Sequence, residues 1–307
     1  MDVLEVRELR YFVAVAEELN FSRAAERLGI AQPPLSRAIR QIENRLGVQL
    51  MVRGGRSLTL TDAGRTLLTE ARAALDAVNA ATHRTRRAAG AAQRLKVTAK
   101  PGVASGLLDR IVDAYRAPGV PEVDIVVSGY RGQAELVRTG AVDMALTSSP
   151  YNDSGLESEQ LATERRVAAL PVGHSLTDRT SLYCADLADL PFPRWPNETS
   201  AERAYWSGQD VAGVGVRSAG SAGPAIGDTA QLLEVVGLGQ AVALIPRTVA
   251  QRNPRTDIVY LPVEDASPYL MSIVWPAGSR SPAIREFVRV AIELTAPKSV
   301  DRAATNT

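Results

Sequence analysis

Between Asn20 and Leu60 the sequence places seven arginines (Arg23, Arg27, Arg37, Arg40, Arg45, Arg53 and Arg56) against two acids, Glu26 and Glu43. That is a local excess of five positive charges in a chain whose formal net charge is only +1. A guanidinium fork holds phosphate oxygens or guanine O6/N7 in pairs, so the chemistry on offer is contact with a nucleic-acid duplex. The 19 residues before this segment run the other way, with Asp2, Glu5, Glu8, Glu17 and Glu18 against Arg7 and Arg10. The plainer alternative is a solvated helix face in a chain that has only three lysines. Such a face would more often carry balancing acids.

The other reactive residue types assemble no catalytic constellation. Gly237-Leu238-Gly239 follows a helical run and precedes a strand-like one, the reverse of the order a dinucleotide-binding turn needs. Ala219-Gly220-Ser221-Ala222-Gly223 has Ala219 where a nucleophile elbow needs its first glycine. His83 and His174 have no acid or nucleophile beside them, Cys184 has no CxxC partner, and Glu164 and Asp186 show no interpretable spacing. One cysteine and two histidines exclude a disulfide framework and a His/Cys metal cluster, so neither cofactor nor metal is implied. What remains is a set of polar residues at the ends of strand-like runs, where open α/β sheets place ligands. Lys100-Pro101-Gly102 and Thr147-Ser148-Ser149 form one set; Arg194-Trp195 and Gly227-Asp228-Thr229 form the matching set further on. A cation at Lys100 points to an anionic ligand, an exposed loop lysine being the alternative; Thr229 would equally serve as a helix cap.

These residues need elements to hold them. Leu9, Phe12, Val13, Ala16 and Leu19 fall at helical spacings of three and four. Ser22 stands where an N-cap would, ahead of Ala24, Ala25 and Leu28, and Gly29 is a natural stop. Pro33 and Pro34 suit the first turn of another helix, which turns Leu35, Ile39, Ile42 and Leu46 inward and stops at Gly47. Two such helices around a turn form a helix-turn-helix candidate. Arg53-Gly54-Gly55-Arg56 and the alternating Ser57–Thr61 run read as a small β-ribbon. A proline-free, alanine-rich stretch from Asp62 to about Arg87 predicts a long helix. On it Leu67, Ala71, Ala74, Val78 and Ala81 recur at 4, 3, 4, 3, a seam that suits a second copy of the chain or an ordinary surface helix.

Past the small-residue hinge at 88–92 the pattern changes to alternating strands and helices. Strands are predicted at Leu95–Thr98, Val123–Val127, Val142–Leu146, Arg166–Pro171, near Val214–Arg217, and at Ala241–Ile245, Ile258–Leu261 and Tyr269–Val274. Helices are predicted at Gly106–Ala117, Gln133–Arg138, Asp228–Val236 and Pro282–Leu294. This argues α/β layers with mainly parallel sheets, divided into two lobes around a ligand cleft. A length of 307 residues suits about two domains, and 45% hydrophobic residues suffice for a packed core. No apolar run approaches a membrane span and the acidic N-terminus does not read as a signal peptide, so a cytoplasmic protein with no membrane partner is expected.

Asn20-Phe21-Ser22-Arg23-Ala24-Ala25 to Leu28, Ala31 to Arg37, Ile39, Ile42-Glu43, Leu46-Gly47, Leu50, Arg53, Leu58 to Thr61 and Ala63-Gly64 together resemble the N-terminal signature of LysR-type transcriptional regulators. The match covers about the first 65 residues. Leu136–Leu146 and Val235–Pro246 are similar to that family in layout. The resemblance implies an α/β protein with an N-terminal winged helix-turn-helix, a long linker helix and a C-terminal, two-lobed effector domain like a periplasmic binding protein. It implies domains at 1–61, at 62–92 (linker helix and hinge) and at 93–297, with a disordered tail at 298–307. Lobe 1 would take about 93–163 and 270–297, lobe 2 about 164–269.

The implied partners are operator DNA, a small-molecule effector, a second chain through the linker helix, two such dimers in a tetramer, and RNA polymerase. Carried over by residue, Gln32, Pro33, Pro34, Ser36 and Arg37 face the major groove and its phosphates. Arg40 reaches a phosphate, Arg53 approaches the minor groove, and Ser22 and Arg23 contact phosphate. Met51 departs from the family's usual Phe at a core position. The candidate effector contacts, read from the strand ends above and not from the resemblance, are Lys100, Gly102, Thr147, Ser148, Arg194, Trp195 and Thr229. A small-molecule enzyme with an accessory helical domain and a sequence-insensitive nucleoid binder are the rival readings.

Overall fold

In the computed structural model, which describes residues 4–54, 57–88, 94–211 and 223–296, the chain divides into an N-terminal unit reaching to residue 90 and a C-terminal unit formed by most of the rest. The first unit is built on the apolar stripes read above, except that Leu19 and Leu46, expected to turn inward, are exposed at the helix ends. Helix α1 (Val6–Glu18) buries Phe12, Val13, Val15 and Ala16 against α2 (Phe21–Leu28) and α3 (Gln32–Leu46). From α3, Leu35, Ile39 and Ile42 complete this core. Both stops are glycines in the left-handed region, Gly29 and Gly47, each at φ 66°. The cap of α2 is Asn20 rather than Ser22: its Oδ1 accepts from the Ser22 and Arg23 amides at 2.9 and 3.1 Å. That leaves the Ser22 side chain outside the turn and exposed.

Strands β1 (Met51–Gly54) and β2 (Ser57–Leu60) pair antiparallel as a wing. Glu43 ties this wing to α3 by accepting from the Leu50 and Met51 amides at 2.8 and 3.2 Å. Met51 is buried in the core, as its apolar character requires. Helix α4 (Asp62–Ala88) packs on α1. It uses half of its apolar seam to do so: Ala71 is buried and Leu67 packs against the same core, whereas Ala74, Val78 and Ala81 are exposed.

The second unit contains two sheets. The first is assembled from β3 (Leu95–Ala99), helix α5 (Ser105–Tyr115), β4 (Val123–Val126), helix α6 (Gln133–Arg138), β5 (Met144–Ser148) and β6 (Leu156–Glu164). The chain then leaves for β7 (Arg166–Pro171), α7 (Cys184–Leu187), α8 (Ser200–Ser207), α9 (Thr229–Gly237), β8 (Ala243–Pro246), α10 (Arg247–Arg252) and β9 (Ile258–Pro262). It returns through β10 (Tyr269–Pro276) to the closing helix α11 (Pro282–Thr295). Strand order is β4-β3-β5-β10-β6 in one sheet and β8-β7-β9 in the other.

Mainly parallel sheets were the expectation, and the structure corrects it. Among the described strands, only β3–β4 and β3–β5 are parallel; β10 runs antiparallel to β5 and β6, and both pairs in the second sheet are antiparallel. The reason is topological. The chain exits the first sheet at the end of β6 and re-enters at the start of β10, so these two strands run oppositely at the same edge, Tyr269 opposite Glu164. The strand expected near Val214–Arg217, the Ala219–Ala222 stretch, the end of the 88–92 hinge and the tail at 298–307 lie outside the described residues. Among those residues, no helix is long and apolar enough to cross a membrane.

Gly64 offers a direct check on the N-terminal unit. A Cβ there would sit 2.1 Å from the Leu50 carbonyl oxygen, an atom fixed by the Thr61 amide at 3.0 Å. Gly64→Ala therefore forces backbone apart and is expected to destabilise this unit by about 1–3 kcal/mol, read as a lowered first transition in calorimetry.

Candidate nucleic-acid interface and ligand cleft

Helix α3 turns one side inward and leaves Pro33, Arg37, Arg40, Gln41 and Asn44 on the other, all exposed and within about a third of a turn of one line along the helix. Gln32 and Pro34 are exposed at its first turn. Ser36 does not join this face. It is buried, because it lies one residue past Leu35 on the flank of the stripe that Ile39 and Ile42 bury. A direct DNA contact from Ser36 is thus not what this geometry presents. Gln41 and Asn44 are the additions; their signal was the 3.6-residue repeat that also places Arg37 and Arg40.

The arginine excess is smaller in space than in sequence. Arg45 forms two hydrogen bonds to the Glu8 carboxylate at 3.0 and 2.8 Å, and these hold that carboxyl below its ordinary pKa. Arg27 pairs with Glu17 at 2.7 Å and Arg23 with Glu18 at 3.3 Å. Glu17 also receives Arg72 at 2.7 Å; burial raises its pKa, but the two arginines outweigh it and the net shift is downward. The acids of α1 thereby offset three of the seven. Arg37 and Arg40 have no ion pair among the described residues. Arg53 sits in β1 opposite Leu58; its side chain, like Arg56, lies outside the described residues.

In the second unit the residues expected to line a cleft gather on Lys100, at the carboxyl end of β3. It is only 5% exposed, and its Nζ donates to Ser148 Oγ at 2.9 Å. Three aromatic faces surround the ammonium: Tyr130 at 4.6 Å, Trp206 at 4.9 Å and Tyr269 at 5.8 Å. Burial pulls the amine down to about 7, with the positive charge of Arg131 adding to the effect and Glu202 opposing it. Tyr130 stacks on Trp195 with centroids 4.5 Å apart and planes 11° from parallel. Arg131 forms an ion pair with Glu202 and donates to the Pro196 carbonyl at 3.2 Å. Burial raises the Tyr130 hydroxyl to about 12 and Tyr269 well above its ordinary value.

Of the residues predicted for this cleft, Lys100, Ser148, Gly102, Trp195 and Thr229 come together. Gly102 (φ 73°) lies against Thr229, whose Oγ1 would be 3.8 Å from a Cβ placed there. The cap of α9 is Asp228, which accepts from the Gln231 amide at 2.8 Å, so Thr229 is not the cap. Its Oγ1, beside the Tyr130 hydroxyl, and the Tyr269 hydroxyl, beside Ser148, are buried without a well-formed hydrogen bond. Two predicted residues stand apart. Thr147 is buried on the opposite face of β5 from Ser148, by strand alternation. Arg194 is exposed, with its Nε–H on the Gly223 carbonyl at 3.1 Å.

Tyr130, Arg131, Glu202, Trp206 and Tyr269 were not anticipated. Tyr130 and Arg131 follow β4 as Lys100 follows β3, so the strand-end rule that found one would have found the others. Glu202, Tyr205 and Trp206 come from α8, held by the buried Arg166. Its Nη1 donates to the Tyr205 carbonyl and its Nε to the Ser267 carbonyl, both at 2.6 Å. Cys184 is buried and its thiol is pushed up to about 12 by burial first, an unreactive state. His174 Nδ1 accepts from the Leu176 amide at 3.2 Å, a local turn contact. Among the described residues no group of His, Cys, Asp and Glu could hold a metal.

Comparison with known proteins follows this division. The family described as "Bacterial regulatory helix-turn-helix protein, lysR family" matches residues 6–65, and "LysR substrate binding domain" matches residues 88–296. The Hca operon transcriptional activator HcaR of Escherichia coli (strain K12) is 30% identical over 94% of this chain and 98% of its own length. The HTH-type transcriptional regulator CatR of Pseudomonas putida is 32% identical over 88% and 92%. Full-length BenM superposes with a TM-score of 0.53 at 25% identity, covering 95% of this chain and 96% of that one. Full-length CbnR in complex with its target DNA shares the fold, with a TM-score of 0.52 at 23% identity over 95% and 100%.

Burial of Lys100 has a thermodynamic sign. With the folded value near 7 and the unfolded one near its ordinary value of 10.5, the unfolded chain binds more protons between them, so this group's cost fades as pH rises through that window. Lys100→Met is expected to raise the stability of the second unit by about 1–4 kcal/mol at pH 6. The gain should shrink towards pH 10, as chemical denaturation at the two pH values would report.

Proposed function

This chain belongs to the LysR family of bacterial transcriptional regulators, and on that premise we propose that the outer face of α3 reads operator DNA while the cleft around Lys100 receives the effector. The observation that carries the first half is the pair of exposed arginines, Arg37 and Arg40, left unpaired beside a wing while their neighbours are neutralised by α1. Gln32, Pro33, Pro34, Gln41 and Asn44 complete the groove-facing surface, with Ser22, Arg23 and the wing residue Arg53 on phosphate and minor groove. The DNA-binding part spans 1–61, the linker helix and hinge 62–92, and the effector part 93–297.

The mechanism is a shift between lobe arrangements. A ligand with unequal affinity for the open and closed cleft moves that equilibrium by its affinity difference, and through it the spacing of the DNA-binding units. The exposed Ala74, Val78 and Ala81 of α4 support dimerisation through this helix, and two such dimers make a tetramer on DNA. The protein acts in the cytoplasm, with RNA polymerase as its partner at the promoter. The rival enzyme reading finds no support: the relatives are named as transcriptional regulators.

Duplex selected by the full-length protein from a random-sequence pool provides the test. Arg37→Ala is expected to cost about 1–3 kcal/mol on the selected site and to relax base preference, while Arg40→Ala lowers the slope of log K against log salt by about one. Ser36→Ala should leave the slope unchanged. A gel shift indifferent to Arg37 and Arg40 would remove α3 from the interface. Val78→Glu should halve the mass measured by sedimentation, since a charge would enter the helix seam.

A further inference from the structure

Lys100 is a buried cation without a counter-ion. Its three N–H groups meet one acceptor, Ser148 Oγ, and among the described residues no carboxylate closes on it. The acids nearby are engaged elsewhere. Glu202 is paired with Arg131 and accepts from the Thr199 amide at 2.8 Å. Glu164 accepts from the Thr248 amide at 3.0 Å, and Asp228 caps α9. Two buried hydroxyls of this cluster lack a well-formed hydrogen bond: Tyr269, within reach of Ser148, and Thr229 Oγ1, within reach of Tyr130. Every polar group still unmatched in this cluster can donate a hydrogen bond, and only one of them carries charge.

Resting on the reading of this cleft as the effector site, we propose that its ligand is a small monocarboxylate and that Lys100 is the residue setting this specificity. The carboxylate supplies the missing counter-ion, and the Ser148, Thr229 and Tyr269 hydroxyls donate to its oxygens. A single buried cation matches a single negative charge; a phosphate dianion would leave one charge unpaired in an apolar wall. The Tyr130 and Trp206 faces that hold the ammonium would flank the ligand's apolar body once the cleft opens to admit it. Binding draws a proton onto the amine, since its depressed value near 7 rises again beside an anion. Of the other groups facing it, Arg131 is paired with Glu202, Glu202 is held anionic by its partners, and burial keeps the Tyr130 and Tyr269 hydroxyls far above neutrality.

Titration calorimetry on the full-length protein tests this with butyrate and benzoate, their primary amides, and phenyl phosphate. The acids should bind at pH 6.5 and weaken roughly twentyfold by pH 8.5, with proton uptake, while the amides bind at least tenfold more weakly. Lys100→Met, which keeps the apolar stem, should abolish binding of the acids. Ser148→Ala, which keeps the charge, should weaken it severalfold with the pH profile intact. Amides matching acids, acid binding surviving in Lys100→Met, phenyl phosphate binding more tightly than either acid, or no heat from any acid at millimolar concentration would each overturn the assignment. Footprints on the selected duplex separate the two levels. Acids that bind as stated but leave the footprint unchanged sink the effector reading and keep the site; a footprint shifted by the amides and not the acids sinks the carboxylate assignment alone.

Discussion

An ammonium taken out of water must find something else to face, and the second unit is arranged around that requirement. Lys100 reaches its place because β3 is a central strand, flanked by β4 and β5, whose ends deliver Tyr130 and Ser148 to the same edge. The remaining faces come from the other lobe and from the connection between lobes. Trp206 stands on α8, and Tyr269 is the first residue of the strand that returns. Cation–π contacts of this kind are worth about 0.5–2 kcal/mol each, less than the cost of removing a lysine from water. The cage therefore holds the amine without satisfying it.

The N-terminal unit solves the opposite problem, too many cations in one sequence segment. Its answer lies in the acids of α1. Glu8, Glu17 and Glu18 are far from Arg45, Arg27 and Arg23 along the chain or on another helix, and each is brought into contact by the packing of α1 on α2 and α3. The neutralised arginines fasten helices together; of those left over, Arg37 and Arg40 lie on the face of α3 that the core does not use. Exposed pairs contribute little stability singly, roughly 0.2–1 kcal/mol. Their larger effect is to decide where the unit's unpaired positive charge is concentrated.

How much of this the sequence showed depends on whether a feature is local. The stripes of α1, α2 and α3, the glycine stops and the wing are local and legible. Asn20 and Ser22 compete for the same cap, and only backbone geometry settles it. Strand β6 went unread because its residues, Leu156–Glu164, are mostly charged or polar; it is an edge strand with only Leu161 buried, so no alternation survives. Helix α8 did carry a signal, since Thr199 and Glu202 form a capping box, Thr-x-x-Glu, with the Glu202 amide on Thr199 Oγ1 at 3.2 Å. Missing that helix meant missing Glu202 and Trp206 together. The antiparallel return of β10 follows from which sheet a strand joins, information that no short window contains.

The same clasp that encloses Lys100 also limits what a ligand can do. Tyr130 on Trp195 and Arg131 on Glu202 join residues after β4 to residues between β7 and β8. A cleft already closed by its own contacts gains little from a ligand that merely adds closure. The shift a ligand produces is bounded by its differential affinity for the two arrangements, typically 1–3 kcal/mol, and equal affinity produces none however tight the binding. The unmet charge of Lys100 supplies such a difference. In an open cleft water would solvate the ammonium and compete with an anion for it; in a closed one the aromatic faces and Ser148 leave its charge largely unmet, so the same anion would interact more strongly there. On the proposed reading, the penalty of burying Lys100 is what would make the closed arrangement responsive to a ligand, and a cleft with a neutral residue at this position would be both more stable and less sensitive.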